Sequence, residues 1–135
     1  MINYSIEAKN NMLLGLLNLM DEADPLPSYI LLYSDPVPSN PGDDITTQIL
    51  LSNISLSLPS GIIADGVLTL EVPIEEDNAP NTGGVSWGRL LNGNDIWIAD
   101  FDVTLTTGNG TLKLNDLNIY KGGIVRINFA TFTTS

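Results

Sequence analysis

The chain has 135 residues, with 5 Lys plus Arg against 16 Asp plus Glu, a net charge of −11, no Cys and no His. Without Cys and His, thiolate catalysis, imidazole bases, histidine triads, zinc fingers and iron–sulfur ligation are excluded. So few cations cannot neutralise many phosphates, so neither nucleic acid nor an anionic membrane is expected as a partner. The length suits one domain, residues 1–135, able to bury roughly two-thirds of its surface without a disulfide or a metal.

Taken in chain order, Ile6, Leu13, Leu16, Leu17 and Met20 recur at helical spacing and predict an amphipathic helix over about 5–20, with Ser5 as N-cap. Leu14 and Leu19 widen its apolar arc, so the helix is either covered on two sides or meets another chain. Acidic Asp21, Glu22 and Asp24 would sit badly at the negative end of a helix dipole, which places the stop near Met20 with Pro25 as the break. The apolar run Met12–Met20 is too short to span a bilayer, and its acidic flank does not resemble a secretory cleavage site.

Beyond Pro25 the period becomes two, and strands are expected from about 28 to 133. Tyr29–Tyr33 is a short strand that runs into the loop Ser34–Asp44, rich in Pro, Gly and Asp. Gln48–Ser57 alternates with Leu50, Ile54 and Leu56 on one side. Val67–Val72 follows Asp65-Gly66 with Leu68, Leu70 and Val72 on one face. Val85–Leu91 and Ile96–Leu105 flank Asn92-Gly93-Asn94-Asp95, where Asn-Gly predicts a hairpin turn through its tolerance of positive φ. In the second arm Trp97, Ala99, Phe101, Val103 and Leu105 are expected to face the core, with Asp100, Asp102, Thr104 and Thr106 facing water. Gly108-Asn109-Gly110 reads as a turn, Thr111–Leu114 and Ile119-Tyr120 as short strands, and Ile124–Phe132 as a last alternating strand, Val125, Ile127 and Phe129 opposite Arg126, Asn128 and Ala130. Many short strands punctuated by Gly, Asn and Pro predict a mainly β fold, an antiparallel β-sandwich or jelly roll with one N-terminal helix.

Asp43-Asp44, Glu75-Glu76-Asp77 and Asp95 with Asp100 and Asp102 could offer oxygen ligands to Ca²⁺, but none has EF-hand spacing, and alternating acids on a strand are expected to be its solvated face. A glycosidase would need two carboxylates flanking a cleft with aromatic platforms, whereas Trp87 and Trp97 both fall on apolar strand faces and read as core. Asn81-Thr82-Gly83-Gly84 lacks the Lys-Ser/Thr of a phosphate loop and reads as a turn. Arg89, two residues from Trp87 on the same face, either stacks on that indole near the surface or pairs with a carboxylate within or between chains. No catalytic residue, cofactor site or metal site is assigned.

The order of features is similar to that of a family of small tailed-phage and prophage virion proteins that includes capsid decoration, or cement, proteins. It is carried by Lys9-Asn-Asn-Met-Leu13, by Leu32-Tyr-Ser34 before the Pro-rich loop, and by Asn81-Thr-Gly before Val85-Ser-Trp-Gly-Arg-Leu-Leu91. Asn92-Gly-Asn94, Leu112-Lys-Leu-Asn115 and Ile119-Tyr-Lys-Gly-Gly-Ile-Val125 complete it. Members of that family tend to carry a bulky residue where Gly88 stands. The resemblance implies a non-enzymatic structural protein, a homo-oligomer (trimer or dimer) made in the host cytoplasm and bound to the major capsid protein on the outer surface of the virion. A tail or baseplate component and a carbohydrate-binding β-sandwich module are the alternatives.

Overall fold

The computed structural model of the chain describes residues 2–71, 74–76 and 78–134, with the side chain of Ile74 left aside. Helix α1 covers Ile6–Met20, and the Ser5 hydroxyl accepts the Ala8 N–H at 3.1 Å, as its cap position requires. Leu13 and Met20 are buried, and Leu16 and Leu17 pack against the core from its edge. Ile6, expected in the buried stripe, is exposed, because the first turns of the helix reach only the rim of the Asp65-Gly66 turn, where the Asn10 side-chain Oδ1 accepts the Gly66 N–H at 2.8 Å.

The helix ends at Met20 as its acidic tail predicts, and its last carbonyls are satisfied from distant parts of the chain. The Ser28 hydroxyl donates to the Met20 carbonyl, and the buried Asn92 amide donates to that of Leu19 at 3.1 Å. Asp21 turns its carboxylate away to accept the Ser60 N–H and hydroxyl. Neutral donors thus cap a terminus that has no basic residue in its last turn.

Among the described residues eleven strands follow: β1 (Tyr29–Tyr33), β2 (Leu50–Ser55), β3 (Gly61–Ala64), β4 (Val67–Leu70), β5 (Ile74–Glu76), β6 (Gly83–Gly84), β7 (Trp87–Leu91), β8 (Trp97–Leu105), β9 (Leu112–Leu114), β10 (Asn118–Ile119) and β11 (Val125–Thr133). Nine of them form one curled sheet in the order β2-β1-β7-β8-β9-β11-β4-β3, with β5 paired to β11, and β10 pairs with β6 in a separate ladder. The fold is mainly β with one N-terminal helix, as expected; the finer expectation of a jelly roll gets no support from this order. A single apolar cluster joins Leu13 and Met20 of α1 to Ile30, Leu32, Ile54, Leu68, Leu90, Leu112 and Ile127 of the sheet. The accessible surface of 7364 Å² is close to the roughly 7,000 Å² that scaling gives for this mass.

Several details differ from the expectation, each for a local reason. Strand β3 went unpredicted; it pairs with β4 around Asp65-Gly66, whose φ values of 52° and 78° form the two-residue turn that suits a tight hairpin. Val72, expected on the β4 face, and Asp77 lie outside the described residues. Gly83-Gly84 is a short strand rather than a turn, and the bare Gly83 leaves room for Leu51. Between β7 and β8 the left-handed residue is Asp95, at φ 63°, while Asn92 is fully buried and accepts the N–H groups of Asn94 and Ile96.

Strands β8 and β9 pair in parallel, where an all-antiparallel arrangement was expected. The chain doubles back over 106–111, and Gly108 and Gly110 let the returning backbone lie against Thr104, whose hydroxyl accepts the Gly110 N–H at 2.9 Å. Asp102 pins the end of this return by accepting both the N–H and the hydroxyl of Thr111.

Three β-bulges break the period-two pattern. Leu51, Ile98 and Asn128 are each one residue too many against their partner strands, at Leu32/Tyr33, Leu90/Leu91 and Leu114/Lys113. Bulging at Leu51 buries it together with Ser52 and Ile54. At Asn128 the bulge leaves Phe129 exposed beneath the Lys113 ammonium and turns Ala130 inward, the reverse of the predicted faces.

Gly88 sits directly opposite Phe101, and a Cβ placed on it would lie 2.7 Å from the Phe101 ring and 3.2 Å from Leu32. Phe101 therefore fills the space that a bulky residue at 88 would need, which accounts for glycine here. Gly88→Leu should cost about 2 kcal/mol or more through overpacking, measured by urea unfolding, and Phe101→Ala in the same chain should recover part of that loss.

Candidate functional site

Strands β1, β7 and β8 lie side by side, and their register sets one face of the sheet. Tyr33, Trp87 and Asp102 form one row across it, and Leu31, Arg89 and Asp100 the next. The Pro-rich segment that follows β1 folds back over this face, and one ion pair holds it there. Arg89 Nε and Nη2 meet the two carboxylate oxygens of Asp100 at 2.7 and 3.0 Å in a bidentate fork. The same Nη2 donates to the Asp43 carbonyl at 2.9 Å, and the Asp100 carboxylate accepts the Gly42 N–H at 3.1 Å. Both charged side chains are nearly removed from water, at 10% and 5% exposure.

The bulge at Ile98 puts Trp97 on the same face as Asp100. The Trp97 Nε1–H donates to Asp100 at 3.1 Å, and Gly42, at φ 81°, lies so close to the indole that a side chain there would collide with it. Trp97 is therefore 41% exposed and belongs to the loop clamp, not to the core as expected; Trp87 is buried as expected, stacked on Tyr33 at 4.8 Å with the Arg89 guanidinium 5.2 Å from its ring centre. Arg89 thus combines the two arrangements that its sequence context left open, indole stacking and an ion pair within the chain.

Asp100, expected on the solvated face, is buried in this network. Burial alone would raise its pKa, but hydrogen bonds from Arg89, Gly42 and Trp97 outweigh burial and hold the carboxyl below the usual aspartate value. Asp102 is held low in the same way, with the Thr111 N–H and hydroxyl overcoming partial burial. Burial, reinforced by a 2.6 Å hydrogen bond to Asp95, pushes the Tyr29 hydroxyl up to about 12. Each of these carboxylates has a structural partner, and a general acid would need the opposite shift. The structure brings Asp43 and Asp100 together through Arg89, but it leaves the Glu75-Glu76 pair on β5, where Glu75 meets Arg126 at an exposed 3.7 Å. Among the described residues no three acids converge in a way that could hold a metal ion.

Between the loop, the start of β7 and the middle of β8 runs a mostly apolar groove of about 540 Å³, walled by Pro36, Val37, Pro38 and Pro41 on one side and by Trp87, Asp100 and Asp102 on the other. Sequence reasoning singled out the loop and Arg89 separately. The one available signal of their union was a cation on an apolar strand facing, across a hairpin, a strand that carries alternating acids.

Breaking a buried pair strands the surviving charge, so Arg89→Met should lower stability by about 3–5 kcal/mol in urea unfolding, whereas Arg89→Met with Asp100→Leu should cost much less. Since Asp100 and Asp102 bind protons less readily folded than unfolded, their stabilisation is complete above about pH 5 and drains away as pH falls below it. Acid titration of the unfolding free energy should show that loss in the native chain and a smaller one in Asp100→Asn. No protein-family model, curated protein or solved structure matches this chain.

Proposed function

We propose that this chain is a bacteriophage virion structural protein, a capsid decoration subunit that binds the major capsid protein on the outer lattice and stabilises the shell. The reading rests on the family resemblance carried by the Val85–Leu91 strand, the Asn92 turn and the Ile119–Val125 segment. The structural observation that carries it is a run of exposed large apolar residues at one end of the chain: Ile2, Tyr4, Ile6, Met12 and Leu14, between 40% and 69% exposed. Exposed apolar side chains of this size offer surface that a neighbouring protein could cover. An acidic exterior keeps many copies soluble before assembly and repels packaged DNA. Binding only to the assembled shell would stabilise it by mass action.

In this role the chain acts as a homo-oligomer through its surface, and its carboxylates serve to fix loops. Cryo-electron microscopy of particles from the encoding source should reveal regular copies of a 14.5 kDa β-rich subunit on the capsid lattice. Density at the tail alone would move the assignment to a tail or baseplate component. A strict monomer that ignores capsid shells in light scattering and co-sedimentation would overturn the proposal.

A further inference from the structure

The groove under the Pro-rich loop has the size of a ligand cleft and a wall that limits what can enter it. Clefts that hold small ligands run from about 300 to 1,000 Å³, and this one measures about 540 Å³. Three of its wall residues, Pro36, Pro38 and Pro41, have no backbone N–H, so this wall is poorly suited to hydrogen-bond an added strand. At this wall recognition rests mainly on side chains lying on apolar surface.

The charge around the groove selects the occupant. Asp102 lines it, exposed Asp35, Asp43 and Asp44 belong to the loop that forms its wall, and Asp100 lines it with its charge already paired to Arg89. None of the five basic residues of the chain lines the groove, and the guanidinium of Arg89 is paired with Asp100. Asp102 stays ionised, held by Thr111. An anionic ligand would meet uncompensated repulsion, and a second copy of a chain of charge −11 would bring more of the same. A glycan would need an open aromatic face, but Trp87 is 2% exposed and already stacked on Tyr33.

We propose that this groove docks an extended peptide segment bearing Arg or Lys beside aliphatic side chains, supplied by the protein on which this subunit sits. The inference deepens the decoration reading and rests on it for the source of the segment. Aliphatic groups lie against Pro36, Val37 and Pro38, long cationic stems cross the same surface, and their charged ends reach the aspartates at the rim. The Arg89–Asp100 clamp keeps the wall in place before the partner arrives, which lowers the ordering cost of binding.

The test is an NMR titration of the full chain, labelled with ¹⁵N, against acetyl-Leu-Arg-Leu-Arg-Leu-amide and against the same peptide with Glu in place of Arg. The cationic peptide should shift the amides of Val37, Ser39, Ser86 and Asp102, and its affinity should fall about tenfold between low and physiological salt. Val37→Lys, at an exposed position on the wall, should weaken it at least about fivefold without unfolding the chain. Equal binding of the acidic peptide, shifts confined to α1, or an unaltered affinity in Val37→Lys would each overturn the inference. Capsid co-sedimentation separates it from the reading beneath it. If Val37→Lys binds shells as the native chain does, the groove is not the contact although decoration stands; if the native chain takes the cationic peptide but ignores shells, the groove stands and the decoration reading falls.

Discussion

The Arg89–Asp100 pair is the constraint on which the outer face of the sheet depends. Two charges that are nearly buried are tolerable only when geometry and hydrogen bonding compensate their lost hydration. Here the fork is bidentate, both groups also bind the backbone of one loop, at Gly42 and Asp43, and Asp100 accepts the Trp97 indole N–H besides. The pair therefore converts a segment with no regular structure into a fixed wall. Its specificity is geometric, because a hydrophobic pair of equal volume would fill the space without telling Gly42 and Asp43 where to lie.

Much of the rest follows from how this face is assembled. Arg89 and Asp100 meet because β7 and β8 form a hairpin whose turn is held from inside by Asn92, and that same Asn92 caps the end of α1 through Leu19. One buried amide thus ties the helix to the hairpin that carries the clamp. One extra residue, Ile98, brings Trp97 onto the clamp face and completes the cover over Gly42. On the opposite face, Gly88 yields its space to Phe101, so the strand that presents Arg89 outward is closely packed inward.

The sequence made the elements legible where the signal is local. Ser5 caps the helix, Tyr29–Tyr33 forms the first strand with its predicted ends, and the period of two after Pro25 identifies the class of fold. It was misleading where a side chain's direction depends on a partner strand. A bulge adds one residue relative to a neighbour, so nothing in the alternation of a single strand announces it, and Trp97 and Phe129 both changed face for that reason. The parallel pairing of β8 and β9 was hidden because Gly108 and Gly110 read as an ordinary turn, while their use is to let the backbone lie flat on Thr104. Of the candidate site, the loop and Arg89 were visible as separate oddities, but the carboxylate that joins them sat among acids that looked solvated.

The central claim is that the Arg89–Asp100 clamp holds the Pro-rich loop as a preformed wall, and the Gly42 amide reports on it directly. Its hydrogen exchange, followed in the native chain from neutral pH down through the acid range in which Asp100 takes up its proton, should be slowed well below the rate of an exposed amide while Asp100 is ionised. That protection should disappear as Asp100 protonates, before the core amides of Leu32 and Leu90 lose theirs. A Gly42 amide that exchanges at the unprotected rate at neutral pH, or that loses protection only with the core, would contradict the account.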